Sequence, residues 1–200
     1  MIKKLDQEKL NLIIALCAMM VSLASFYATY LQAKAANKQV KIMTMPVIQF
    51  LQSNYDLDDD KPSIYFELYN VGSSPALLKD FSINYEQTTY HTAREFLNAC
   101  CQQEYQEFIK KLTNNDDASS LDKGNIITST LSNRLIPANS KNRMFALSYG
   151  ERSYDLWKKL DKERRKISVD FCFCSPLGGC YRSANQGTSM EIETCTTNNN

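Results

Sequence analysis

The chain has 200 residues, 23 of them Lys or Arg against 22 Asp or Glu, and a single histidine. That length suits one ordinary domain of roughly 100–150 residues plus accessory segments. The near balance of charge gives no basic excess of the kind that marks nucleic-acid binding or attraction to an acidic lipid surface, so no nucleic-acid partner is expected.

The charges are unevenly placed. From Leu10 to Ala33 there is no Asp, Glu, Lys or Arg, and this stretch is long enough as a helix to cross about 30 Å of hydrocarbon. A helix is the single-segment solution in lipid because it satisfies its own backbone N–H and C=O groups. Tyr27 and Tyr30 fall where an interfacial aromatic pair belongs. The competing reading is a cleaved signal peptide, since Ser22-Leu-Ala24 before Ser25 has the small residues such a site needs. Against it, the apolar run continues past Ser25 and the leader mixes Asp6 and Glu8 with Lys3, Lys4 and Lys9. Residues 1–9 are therefore read as a flank, 10–33 as one transmembrane helix (a signal anchor), and 34–45 as a helical stalk that Pro46 ends. Lys3, Lys4 and Lys9 are matched by Lys34, Lys38 and Lys41, so charge does not orient the helix. Ala18 and Ser22, and Ala24 and Ala28, have small-xxx-small spacing suited to helix pairing, a pattern common in anchors by chance.

Six of the seven cysteines follow the anchor: Cys100, Cys101, Cys172, Cys174, Cys180 and Cys195. An even, dense set in a small domain fits disulfides in an oxidising compartment. That favours a cytoplasmic N-terminus and an exported domain.

Past Pro46, residues 47–51 read as a strand, and 63–70 alternate Ile64, Phe66 and Leu68 on one face with Tyr65, Glu67 and Tyr69 on the other. Residues 56–61 between them form an acidic loop; it lacks the spacing and glycine of an EF-hand, and a solvated turn is preferred to a calcium site. A strand over 77–85 carries Phe81 and Ile83. The period then changes: 91–112 places Phe96, Cys100, Phe108 and Leu112 at helical spacing, one inserted helix, with a polar loop over 113–124. Strands are expected over 125–130, 142–148, 167–174, 180–183 and 189–194, with a short helix over 154–164 and a frayed tail at 198–200. Tyr154, Trp157 and Leu160 repeat as an apolar stripe on that helix, read as packing on the domain in preference to a partner-binding face. Many short strands separated by turns point to an antiparallel sandwich.

Asn70-Val-Gly-Ser-Ser-Pro-Ala76 resembles the N-x-G-x-G-P-A turn of a broad group of uncharacterised bacterial single-pass membrane proteins. Leu135-Ile-Pro-Ala138 is similar to that group's L-x-P-G turn. Phe173-Cys-Ser-Pro-Leu-Gly-Gly-Cys-Tyr181 is similar to its Y-C-S-x-x-x-x-C-W hairpin. Ser74, Ala138 and Tyr181 depart from these patterns. The resemblance leaves out about 88–123 and implies an N-terminal anchor carrying an immunoglobulin-like β-sandwich. It transfers no catalytic residue. Physically, Asn70 can hydrogen-bond the turn backbone, Gly72 can take positive φ, and Pro75 fixes its own φ near about −65°; an anion-binding nest is the lesser alternative.

Chemistry is sparse. Cys172 and Cys174 share a strand face opposite Phe171 and Phe173. Cys174 and Cys180 flank a connection able to reverse the chain, so a disulfide is expected between them, with Cys195 a candidate partner for Cys172. The same four thiols offer a zinc set that lacks the usual paired C-x₂₋₄-C knuckles. Cys100 and Cys101, adjacent on a helix, point to different faces and are further disulfide candidates; His91, the only possible histidine base, lies too far along the helix for thiol catalysis. G-x-S-x-G, H-E-x-x-H, G-x-x-x-x-G-K-[ST] and G-x-G-x-x-G are all missing.

The sequence thus predicts a mainly β protein: one transmembrane helix, then an antiparallel immunoglobulin-like sandwich over 46–195 with a helical insertion at 88–123, and a disordered tail at 196–200. It is expected to be a non-enzymatic, membrane-tethered binding or scaffold module of a bacterial inner membrane. Its domain would be periplasmic, its partner a protein and its cofactors none. The alternative is a thiol- or zinc-dependent enzyme using the cysteine cluster. Partner, process and oligomeric state stay open.

Overall fold

The computed structural model describes residues 7–113, 123–130, 133–184 and 189–195. The chain divides into two compact units, Met1–Met43 and Thr44–Asn200.

The first unit is helix α1, Gln7–Met43, 37 residues with none buried. It is long and apolar enough to cross a membrane, with a mean hydropathy of 2.1 in its most apolar window. Phe26 is 75 % exposed, a side chain that water would not favour and lipid would. Within the apolar run the Ser22 and Thr29 hydroxyls donate to the carbonyls of Ala18 and Ser25, at 2.9 and 2.8 Å. These bonds into the helix's own preceding turn satisfy hydroxyls that hydrocarbon could not.

In the second unit, ten strands among the described residues form two antiparallel sheets. The first runs β1 (Ile48–Asp56), β2 (Lys61–Asn70), β7 (Ser140–Ser148), β5 (Ile126–Thr128) in spatial order. The second runs β10 (Met190–Ile192), β9 (Cys180–Ala184), β8 (Ser168–Cys174), β3 (Ala76–Tyr85), β4 (Thr88–Tyr90), with β6 (Arg134–Ile136) also on β3. Both sheets contribute to one buried apolar cluster. Phe66 of β2 stacks on Phe145 of β7 at 5.2 Å and lies 6.0 Å from Phe50 of β1; Phe50 in turn lies 6.5 Å from Phe81 of β3. Inward apolar residues at period two build this core.

The alternation expected for β2 places Glu67 on an exposed face, yet Glu67 is only 1 % exposed. β2 is an interior strand, and Arg143, directly opposite Glu67 on β7, lies across it. Its Nε is 3.6 Å from Glu67, its Nη1 donates to Asp56 at 2.7 Å, and its guanidinium sits 4.6 Å from the Tyr65 ring centre. The first strand also runs further than residues 47–51, with a register shift between Ser53 and Tyr55. The acidic stretch is a tight β1–β2 turn: Tyr55 Oη donates to Asp60 at 2.7 Å within it, and Lys141 of β7 approaches Asp58 at 3.5 Å.

The insertion corrects a second expectation. The one helix expected over 91–112 is two, α2 (Ala93–Cys100) and α3 (Gln102–Thr113), and β4 precedes them. Thr92 and Glu95 form a reciprocal capping box that starts α2. Cys101 leaves helical geometry, with φ −148° and ψ 37°, because Cys100 and Cys101 are disulfide-bonded to each other, their Cα atoms 3.8 Å apart. Adjacent side chains on a continuous helix diverge by about 100° and cannot meet. Phe96, Leu97, Cys100, Tyr105 and Phe108 are buried, so the insertion belongs to the core.

The helix after β7, α4 (Tyr154–Glu163), ends in a 3₁₀ turn, Arg164–Lys166. Its buried stripe is Leu156, Leu160 and Glu163, while Tyr154 is 43 % exposed. Of the expected 154/157/160 stripe, Leu160 is buried and Trp157 packs against the core, where it also meets Tyr149 edge-on at 5.4 Å; only Tyr154 departs from it. Residues 114–122 of the expected loop, and the tail, lie outside the described residues.

Candidate functional site

The β2–β3 turn is organised by one buried amide. Asn70 Nδ2 donates to the carbonyls of Ser74, Ile136 and Pro137 at 2.8, 3.2 and 3.1 Å. Its Oδ1 accepts from the backbone N–H groups of Gly72 and Val47 at 3.1 and 3.3 Å. The role of Gly72 differs from the expected one. Its φ is not positive, but a Cβ there would lie 2.5 Å from Val47 N and 2.8 Å from Met45 O. Glycine is needed because the chain entering β1 packs directly on the turn. Pro75 immediately precedes β3, where its fixed φ suits the extended backbone. The three motif stretches meet here: Ala76 pairs with Ile136, Leu77 with Cys174, and Cys174 with Cys180.

Beside that turn is a sulfur cluster. Cys172–Cys195 and Cys174–Cys180 are disulfides, with Cα separations of 5.8 and 4.0 Å. Cys174 and Cys180 are directly paired on β8 and β9, and Ser175 to Gly179 close the hairpin through Ser175 N–H to Gly179 O at 2.9 Å. Positive φ at Gly178 and Gly179, 94° and 88°, requires the paired glycines. The two bridges touch: Cys174 Sγ is 3.7 Å from Cys195 Sγ. Cys172 is fully buried, whereas Cys174, Cys180 and Cys195 are half-buried. The sulfurs of Cys174, Cys180 and Cys195 lie within 4.8 Å of one another. Every cysteine of the set is oxidised, so a zinc ion would need both bridges opened before four thiolates could hold it. Phe171 and Phe173, on the other face of β8, are fully buried in the core.

A cleft of about 310 Å³ opens where the insertion meets the first sheet. Its floor is Phe81 and Met144, and its rim carries His91, Thr92, Arg94 and Thr128. The capping box fixes the rim, because Glu95 Oε2 accepts from the His91 and Thr92 N–H groups at 3.0 and 3.1 Å. The backbone at His91 and Thr92 is thereby held at the mouth, where the His91 and Arg94 side chains are exposed.

A further polar cluster was not foreseen. Glu163, 6 % exposed, accepts from Tyr85 Oη at 2.7 Å and Lys166 Nζ at 2.6 Å, and Lys159 Nζ lies 3.4 Å from its other oxygen. Lys166 is the main reason its carboxyl falls from 4.5 to about 2, against the upward push of burial and with help from Tyr85. Burial and the Glu163 carboxylate push the Tyr85 hydroxyl up. Burial also raises the Asp56 carboxyl, but hydrogen bonds from Arg143 and the Asp58 backbone outweigh it and hold Asp56 below its ordinary range. No protein family, curated protein or solved structure matches this chain.

Proposed function

We propose that this chain is a single-pass inner-membrane protein of a bacterium whose exported domain, an immunoglobulin-like β-sandwich, binds a protein partner. The long apolar helix supports the tether. Two antiparallel sheets contributing to one core, with the three motif turns gathered at one end of the second sheet, support the sandwich. The paired cysteines support an oxidising compartment and therefore export.

The observation that carries the binding role is the cleft between the insertion and β5, with its apolar floor and polar rim. The insertion cannot simply be deleted as a test, because Phe96, Leu97 and Phe108 are core residues. Photo-crosslinking side chains placed at Arg94 and at Thr128, in intact membranes, are expected to capture one common protein. A crosslinker at Leu177, which is 70 % exposed on the β8–β9 hairpin, serves as the control. Equal capture from Leu177 would remove the cleft from the proposal.

A second reading, thiol- or zinc-dependent chemistry, is favoured by the close approach of Cys174, Cys180 and Cys195. It predicts bound zinc in the purified protein. Elemental analysis finding no metal, with every domain cysteine resistant to alkylation, would exclude it.

A further inference from the structure

We propose that the two touching bridges are one exchange-active unit, in which opening Cys174–Cys180 with an external thiol moves a disulfide onto Cys174–Cys195 and releases Cys172. This goes beyond the binding role and does not depend on it.

The geometry assigns each sulfur a different part. Cys174, Cys180 and Cys195 are all half-buried, whereas Cys172 is fully buried and out of reach of an incoming thiolate. Entry is at Cys180 Sγ, on the strand that leaves the exposed turn at 176–178, and a thiolate of a small thiol or of a protein attacks there. A new bond forms between that sulfur and Cys180, the Cys174–Cys180 bond breaks, and Cys174 leaves as a thiolate. The hairpin does not spring apart. Ser175 N–H to Gly179 O, at 2.9 Å, and Gly178 N–H to Ser175 O, at 3.0 Å, hold the turn, and the β8–β9 pairing runs from Asp170 to Cys174.

Cys174 Sγ therefore stays beside Cys195 Sγ, 3.7 Å away in the oxidised protein. It attacks Cys195; the Cys174–Cys195 bond forms, the Cys172–Cys195 bond breaks, and Cys172 leaves with the electron pair. Cys172 then takes a proton from water and remains in its buried site as a small apolar group. One thiolate and two disulfides enter, and one thiol and two disulfides leave; no electrons are gained or lost. The consequence is that the outer bridge gates the buried one. The C-terminal segment stays tethered throughout, through Cys195, while the hairpin at Ser175 to Gly179 is released from its bridge.

The test uses the full oxidised chain in detergent micelles, treated with reduced glutathione. Samples are quenched with acid at intervals, alkylated and mapped by peptide mass spectrometry. Glutathione on Cys180, a Cys174–Cys195 bridge and alkylated Cys172 are expected to rise together in equal amounts, and the double variant Cys174→Ser, Cys180→Ser, which leaves no free thiol beside Cys195, is expected to keep Cys172–Cys195 intact. Glutathione on Cys180 with free Cys174 and an unbroken Cys172–Cys195 bridge would overturn the proposal. So would release of Cys172 in the double variant at the wild-type rate, since the inner bridge would then open without the relay. The wild-type mapping decides the question even if the double variant fails to fold. Cys100–Cys101, 7 % and 1 % exposed, should stay closed in every sample and serves as the internal standard.

Discussion

A side-chain amide offers two N–H donors and an oxygen with two lone pairs, and Asn70 spends all of them on backbone groups of three separate segments. Asn70→Ala leaves buried N–H and C=O groups unmatched and should cost about 3 kcal/mol. Asn70→Asp keeps the acceptor but sets a carboxylate against three carbonyl oxygens, so it should lose at least as much. Urea denaturation of both variants checks this, and an Asp variant as stable as wild type would show that the donor half carries no weight. Glu163 makes a prediction about pH. Its folded pKa is depressed from 4.5 to about 2, so the unfolded chain binds more protons in between. The stability it contributes is complete above 4.5 and is lost as pH falls towards about 2. The stability gap between wild type and Glu163→Gln should therefore shrink across that window when followed by denaturation at successive pH values. The two residues differ in legibility. Asn70 stands in a turn whose neighbours Gly72 and Pro75 mark it from sequence, although the reason for Gly72 was close approach and not φ. Glu163 among Lys159 and Lys166 looks like any solvated helix face, and its decisive partner, Tyr85, is distant in the chain.

At the scale of elements, the inserted helices were readable because Phe96, Cys100 and Phe108 keep a helical period that water alone would not impose. What periodicity cannot report is a bond between neighbours, and the Cys100–Cys101 bridge is why one helix became two. Short strands fared similarly: β6 is three residues long, too short to show alternation, and exists because β3 offers it a paired edge. Two positions on α3 should respond unequally to substitution. Phe108, 1 % exposed, joins the shared core, and Phe108→Ala should cost about 3–5 kcal/mol. Lys111 on the same helix meets Asp155 at 3.5 Å, with side chains 43 % and 56 % exposed. Lys111→Ala should therefore change stability by about 0.5 kcal/mol or less. Thermal unfolding of the pair measures the contrast. A Phe108→Ala variant as mild as Lys111→Ala would mean that α3 rides on the surface and is not part of the core.

For the molecule as a whole, insertion and orientation rest on different physics. The apolar length of α1 speaks for a span whichever way it points, and its flanking lysines balance, so the side of the membrane is decided by the chemistry of the domain. A reducing cytosol would open the half-buried bridges at Cys174, Cys180 and Cys195, while an oxidising periplasm would preserve them. In intact cells carrying Cys17→Ser, which removes the free thiol of the anchor, a membrane-impermeant maleimide should therefore leave the protein unlabelled. Full reduction of both bridges by an impermeant reductant should then make those three cysteines reactive without lysis. Labelling that needs lysis but no reductant would place the domain in the cytosol, and both export and the oxidised cluster would fall with it. The same sample separates anchor from leader. A chain beginning at Ser25 would mean that the apolar segment is cut during export, whereas a chain retaining Leu12 to Ala24 keeps the helix as the tether that the proposed binding role requires.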